Sequence, residues 1–303
     1  MSGKVFDNPD SYFLRFPDKP QNRIIALPSH IGGEASISGI KWISSYPDNI
    51  KQGIQRASAT LILNDGETGF PLACLESGLI SAVRTAVSAA AALHYLKGGE
   101  RKVNTLGIVG TGYIAKNMID SLFELDWTFE QINLFDMNPE YAASLKQYIE
   151  ARFDGRVNQL DSLDNLITGS EVIVTTTTAA EPYIQNMALF AHNPIVLNIS
   201  LRDFSEDIIL NSNNVLDDVQ HCLKANTSPH LAYQKAGNLD FINGHFGDLQ
   251  SGGLELDASK PTVFSPFGLG VLDLALGQFV YEKARSSDTC VEVDNFFGEQ
   301  TRW

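Results

Sequence analysis

Along the first hundred residues, apolar and polar positions alternate in short runs separated by turn residues. RIIALPS (23–29), SGIKWIS (38–44), SATLILND (58–65) and FPLACLE (70–76) each read as a strand. The turn-forming Asp65-Gly66-Glu67-Thr68-Gly69 joins the last two into the clearest hairpin, so this part predicts an antiparallel sheet. From Ser77 the pattern turns alanine-rich and stops at Gly98-Gly99, which predicts one long helix. Beyond Asn104 the rhythm changes. The apolar runs TLGIVG, INLFD, EVIVTTTT, PIVLNIS and NVLDD alternate with helical stretches such as IAKNMIDSLFEL and PEYAASLKQYIEARF. That alternation predicts a parallel sheet covered on both faces by crossover helices. TVFSPFGLGVLDLALGQFVYEKARSS then reads as a short strand, a glycine turn and a helix that returns to the first domain.

The predicted fold class is therefore α/β. A doubly wound domain over 101–265 is inserted into an α+β domain made of 1–100 and 266–303. Charge narrows the partners: 36 acidic against 22 basic side chains give a net charge of −14. Nucleic acid and anionic membranes would demand a basic face, so neither is expected as a partner. No apolar run is read as reaching the ~18–20 residues of a membrane span. The opening MSGKVFDNPDSYF has neither the basic nor the apolar region of a signal peptide, so a soluble cytoplasmic protein is expected. Cys74, Cys222 and Cys290 lack CxxC or zinc spacing and the six histidines lack ligand spacing, so no metal is expected.

The chemistry begins at Gly110-Thr111-Gly112-Tyr113-Ile114-Ala115, which follows an apolar run and opens a helical one. Gly110 permits the tight turn, Gly112 lets backbone approach a diphosphate, and Ala115 is small enough for close helix-on-strand packing. The diphosphate would meet the N–H groups at the helix start. Asp136, ending INLFD, suits the two ribose hydroxyls and repels a 2′-phosphate, which points to NAD over NADP; its other reading is a cap on the turn before Pro139. Thr178 closes the threonine run at the sheet's carboxyl edge, where a cofactor contact and plain strand propensity both account for it.

Four charges stand in apolar or small-residue surroundings, where charge is unfavourable without a task. They are Arg15 in YFLRF, Lys41 in SGIKWI, Arg84 in LISAVRTA, and Asp203 after VLNIS. Strand alternation pointing Lys41 outward, a solvated helix stripe at Arg84 and a helix cap at Asp203 are the structural alternatives. Taken together, three cations on one domain and a carboxylate at the other's sheet edge suit a substrate bearing carboxylates and an amine.

In their order, RIIALP, SGIKW, LILNDGETGFPLA, SGLISAVRTA, GIVGTGYIA and NISLRD resemble the ornithine cyclodeaminase/μ-crystallin family over nearly the whole chain. The resemblance implies a Rossmann domain that binds NAD, a substrate domain that dimerises through its sheet, and Arg15, Arg84 and Lys41 at the substrate. It implies Asp203 at the substrate as well, Arg23 as an additional cation of one branch, Ser265 to Gly268 near the nicotinamide and Ser200 at the cofactor. Catalysis is expected of Lys41, as a point charge or a proton source, and of Asp203, as a proton acceptor or by positioning the amine or water. That branch, which serves siderophore biosynthesis, oxidises the secondary amine of N-(2-amino-2-carboxyethyl)-L-glutamate. Alanine dehydrogenation, ketimine reduction and dinucleotide binding without turnover remain the alternatives. Ornithine-cyclising members carry a glutamate shortly before their MP or LP dipeptide. Here that position falls at Ile25 or its neighbours, with no carboxylate, which disfavours cyclodeamination.

Overall fold

A computed structural model describes residues 6–34, 36–287 and 289–298. The outer ends of the predicted first domain, 1–5 and 299–303, lie outside the described residues. The chain divides into two compact units, one of Met1–Ser45, Ala57–Ile80 and Gly270–Trp303, the other of Tyr46–Arg56 and Ser81–Leu269.

The first unit holds β1 (Phe6–Asp7), β2 (Tyr12–Arg15), β3 (Arg23–Ile31), β4 (Ile37–Ser45), β5 (Ala57–Asp65) and β6 (Pro71–Glu76). They form one antiparallel sheet in the order β1-β3-β4-β5-β6, with β2 also on β3. The β5–β6 turn is fixed by Asp65, whose Oδ1 accepts from the Thr68 N–H at 2.7 Å and the Thr68 hydroxyl at 2.6 Å. Those bonds hold the Asp65 carboxyl below its ordinary range. Ile37, Leu61 and Leu63 project from one face and bury against Leu274 of the last helix. On the opposite face Tyr12, Leu14 and Trp42 are exposed.

From the end of that sheet run α1 (Gly78–Leu96), β7 (Lys102–Val109), α2 (Tyr113–Glu124), β8 (Thr128–Phe135), α3 (Pro139–Glu150) and β9 (Arg156–Gln159). There follow α4 (Leu163–Thr168), β10 (Val172–Thr175), β11 (Ile195–Asn198), α5 (Glu206–Leu210), β12 (Asn213–Leu216), α6 (Val219–Cys222), α7 (Ser228–Ala236), β13 (Ile242–His245), α8 (Phe246–Ser251), β14 (Thr262–Ser265) and α9 (Gly270–Ser286). The eight strands β7–β14 form a wholly parallel sheet, β13-β12-β14-β11-β10-β7-β8-β9. Period-2 alternation splits its side chains between two cores. Val172, Val174, Leu197 and Phe264 enter one; Ile173, Val196 and Val263 enter the other. Strand order reverses between β7 and β10, the position at which open α/β sheets bind ligands beyond their carboxyl ends.

Two sequence expectations change. The sequence pattern extends the first domain through residue 100, whereas α1 from Ser81 onward belongs to the second unit. The reason is the alanine face of α1: Ala86, Ala89, Ala90, Ala92 and Leu93 are buried with Leu106 and Ile108 of β7. By length and composition α1 is also apolar enough to cross a membrane, which corrects the reading that no run reaches that length. Its apolar face is accounted for by this core.

Candidate functional site

The loop from β7 to α2 is built around Gly110, at φ +83°. A Cβ there would stand 3.0 Å from the backbone of Thr176 and Thr177, just beyond β10. Thr176 closes the approach, donating its hydroxyl to the Gly110 carbonyl at 2.6 Å. At Gly112 the opposite holds: a Cβ would meet nothing within 4 Å. No side chain caps α2, so the first-turn N–H groups behind Gly112 keep no side-chain acceptor among the described residues. Open space before an uncapped helix N-terminus is the arrangement that receives a diphosphate. Tyr113 is exposed and Ile114 half-buried at the start of that helix.

Asp136 immediately follows β8. Its Oδ2 accepts from the Thr111 N–H at 2.7 Å and the Thr111 hydroxyl at 3.0 Å, and its Oδ1 from the Asn138 N–H at 2.9 Å. It thus ties the glycine loop to the neighbouring strand end and also fixes the turn before Pro139. Three bonds leave one of a carboxylate's roughly four acceptor positions for a ligand.

Further along the sheet edge, Thr175, Asn198 and Ser265 end β10, β11 and β14 and are linked in series. The Thr175 hydroxyl donates to Asn198 Oδ1 at 3.3 Å, and Asn198 Nδ2 to Ser265 Oγ at 3.0 Å. Ser265 is buried within this network, whereas Thr178 is exposed. Asp217, beyond β12, accepts from the N–H groups of Phe267 at 2.9 Å and Gly268 at 2.7 Å. Gly268 has φ +95°, and a Cβ on it would lie 2.4 Å from Nη1 of Arg84. The structure therefore brings Gly268 to the Arg84 guanidinium, and glycine alone allows that approach. Burial and the Asp217 charge push the Cys222 thiol well up, which makes it a poor nucleophile.

Asp203 is fully buried. Its Oδ1 accepts from the hydroxyls of Thr177 at 2.6 Å and Tyr183 at 2.8 Å, and its Oδ2 from that of Ser200. Leu201, between Ser200 and Asp203, takes φ +75°, a strained conformation for a leucine. Its carbonyl is held by the Ser228 N–H at 2.7 Å, and Arg202 donates to the carbonyls of Ala225 and Asn226.

In the first unit, register places Arg15 opposite Arg23, and Leu27 opposite Lys41. Alternation along β3 puts Arg23 and Leu27 on one face, so Arg15, Arg23 and Lys41 share it. Ile25 lies on that face as well. Lys41 is buried and its Nζ stands 2.6 Å from Asp273 Oδ2 in the first turn of α9. The outward-pointing alternative for Lys41 is therefore not what the structure shows.

Sequence reasoning missed Asp217, Asp273, Thr177, Tyr183 and Asn198. Asp217 had a signal, a carboxylate directly after an apolar strand in NVLDD. Asp273 had a weaker one, an acid within an apolar helix. Among the described residues no group of three or more His, Cys, Asp or Glu could hold a metal ion.

A parallel sheet with a glycine loop at its reversal point, and an antiparallel sheet completed by a C-terminal helix, define a dinucleotide-binding two-unit α/β protein. The chain belongs to the ornithine cyclodeaminase/μ-crystallin family, whose model matches residues 1–288. It is 33% identical over 278 residues, 88% of this chain and 80% of the other, to N-((2S)-2-amino-2-carboxyethyl)-L-glutamate dehydrogenase of Staphylococcus aureus. Among solved structures, Thermococcus litoralis Δ1-pyrroline-2-carboxylate reductase in complex with NADH and L-proline matches with a TM-score of 0.85 at 22% identity, covering 95% of this chain and 90% of that one. An archaeal alanine dehydrogenase dimer with bound NAD matches with a TM-score of 0.84 at 22% identity, covering 96% and 89%.

Proposed function

We propose that this protein is an NAD-dependent oxidoreductase of CH–NH groups whose substrate is N-(2-amino-2-carboxyethyl)-L-glutamate, converted to 2,3-diaminopropionate and 2-oxoglutarate. The observation that carries the reading is one sheet edge that presents both an open glycine loop, at Gly110 to Ile114, and a fixed carboxylate, Asp203. The staphylococcal relative supports the choice of substrate. NAD fits the residues present: Gly112 leaves room for a diphosphate, and Asp136 retains an acceptor position for ribose and a charge that opposes a 2′-phosphate. Thr178, Ser200, Ser265 and Gly268 are assigned to its nicotinamide end. When bound, NAD⁺ supplies the hydride acceptor.

Each protein group has a task in that reaction. Arg84 offers a planar fork for a substrate carboxylate, with its position set against Gly268. Arg15 and Arg23, opposite each other on neighbouring strands, offer two guanidinium groups to a substrate carboxylate. Asp203 accepts the amine proton as the Cα–N bond becomes an imine. Water then adds to the imine carbon, and the C–N bond breaks to give the keto acid and the free amine. Lys41, ion-paired with Asp273, serves as a fixed positive charge for a carboxylate. Holding reacting groups in place contributes about 7–11 kcal/mol to such reactions.

The reading includes a cytoplasmic homodimer. Supporting it are the dimeric archaeal relative and the exposed Tyr12, Leu14 and Trp42 on the sheet face away from α9.

A substrate panel tests the proposal. With NAD⁺ and the glutamate conjugate, NADH and 2-oxoglutarate are expected in equal amounts, and with L-alanine, L-proline or L-ornithine far less NADH. Turnover of alanine but not of the conjugate would overturn the substrate. NAD binding with no turnover on any amine would make the chain a dinucleotide-binding protein without activity.

A further inference from the structure

We propose that Tyr183 and Thr177 are positioning residues for Asp203, holding its Oδ1 so that the buried carboxylate exchanges protons through Oδ2 and the Ser200 hydroxyl bonded to it; this rests on Asp203 being the acid/base group. An ionised carboxylate has about four acceptor positions, two on each oxygen. Oδ1 receives two hydroxyls, from Thr177 at 2.6 Å and Tyr183 at 2.8 Å, and is full. Among the described residues, Oδ2 receives Ser200 alone. A single acceptor position remains, so the direction in which the carboxylate can take a proton is set by the other three bonds.

The backbone enforces the same arrangement. The N–H groups of Tyr183 and Ile184 both donate to the Asp203 carbonyl, at 3.1 and 3.0 Å, and Ile184 forms an isolated parallel bridge with Phe204. Tyr183 is thus fixed to Asp203 by main chain and by side chain together. Tyr183 is 42% exposed as a whole, but desolvation of its hydroxyl end, followed by the charge of Asp203 and the bond to it, drives the phenol well above its usual range, against a smaller opposite effect of Thr177. The phenol consequently stays protonated and remains a donor. Between Ser200 and Asp203, the strained Leu201 and the bonds of Arg202 to the Ala225 and Asn226 carbonyls fix the course of the loop. Ser200, assigned above to the cofactor, is on this reading a partner of Asp203 as well.

Tyr183→Phe and Thr177→Val each remove one hydroxyl and little volume. Each should lower kcat by about tenfold or more, the effect of losing a hydrogen bond to a charged group, with KM and NAD affinity within about twofold of the parent. Thr177→Ser, which restores the hydroxyl, should recover most of the rate. A rise in KM with kcat unchanged, or Thr177→Ser as impaired as Thr177→Val, would overturn the proposal. Asp203→Asn separates the two levels. If it retains full turnover, the acid/base assignment itself fails; if it is inactive while Tyr183→Phe is as fast as the parent, only the positioning role fails. A readout independent of turnover is the ring resonance of 13C-labelled Tyr183 at neutral pH, which reports the hydrogen bond to Asp203. Asp203→Asn should shift it, and an unmoved resonance would overturn the pairing.

Discussion

Asp273→Ala will lower the free energy of unfolding by about 3–5 kcal/mol, the range seen when one member of a buried ion pair is removed. Lys41 and Asp273 are buried at 2.6 Å from each other, between the sheet and α9, so the substitution leaves an ammonium in a low-dielectric position without its carboxylate. Urea unfolding of parent and variant measures the difference. The double variant Lys41→Met/Asp273→Leu provides the control, because replacing both charges by apolar groups of similar volume is often neutral or stabilising. It should regain most of the stability and still be inactive, since the fixed positive charge for the substrate is gone. A single variant within about 1 kcal/mol of the parent would give the pair only the weight of a surface ion pair.

Gly110→Ala is the second large effect. The residue stands at φ +83°, and an added Cβ would press at 3.0 Å on the backbone carbonyl carbon of Thr176, which no rotamer change can move away. The loop relaxes by leaving its native path, and NAD binding must then restore it. Strain of this kind amounts to about 1–3 kcal/mol, or roughly 5- to 150-fold in NAD affinity. Gly112→Ala is the informative contrast. Its φ of −83° suits any residue and its Cβ enters empty space, so the variant should fold as well as the parent. Any weakening of NAD binding there then arises from contact with the ligand itself. Calorimetric titration of NAD into both variants distinguishes the two causes, and Gly110→Ala binding as tightly as the parent would remove the loop from the site.

Much of the fold was legible because the decisive segments repeat one period over many residues. The hairpin at Asp65, the strands at Arg23 and Ile37, the long alanine-rich helix and the β7–α2 turn each satisfied pattern and turn chemistry at once. The short elements gave no such signal. RVNQ of β9 and INGH of β13 are four-residue, largely polar strands that become strands only by pairing with β8 and β12. The site divided along the same line. Gly110, Gly112, Asp136 and the four charges out of place stood out by residue type, while their partners did not. Nothing local marks Asp273, 232 positions from Lys41, or Tyr183, 20 positions from Asp203, as hydrogen-bond partners, since tertiary packing alone brings them there.

In the proposed reaction, hydride leaves the glutamate Cα of the conjugate for NAD⁺. The most direct test is a single turnover with N-(2-amino-2-carboxyethyl)-L-glutamate carrying deuterium at that carbon, followed by mass analysis of the NADH and the released keto acid. One deuterium is expected in NADH, none in 2-oxoglutarate at the former Cα, and none in 2,3-diaminopropionate. NADH without deuterium, or cleavage of the conjugate with no NADH formed, would contradict the proposed hydride transfer.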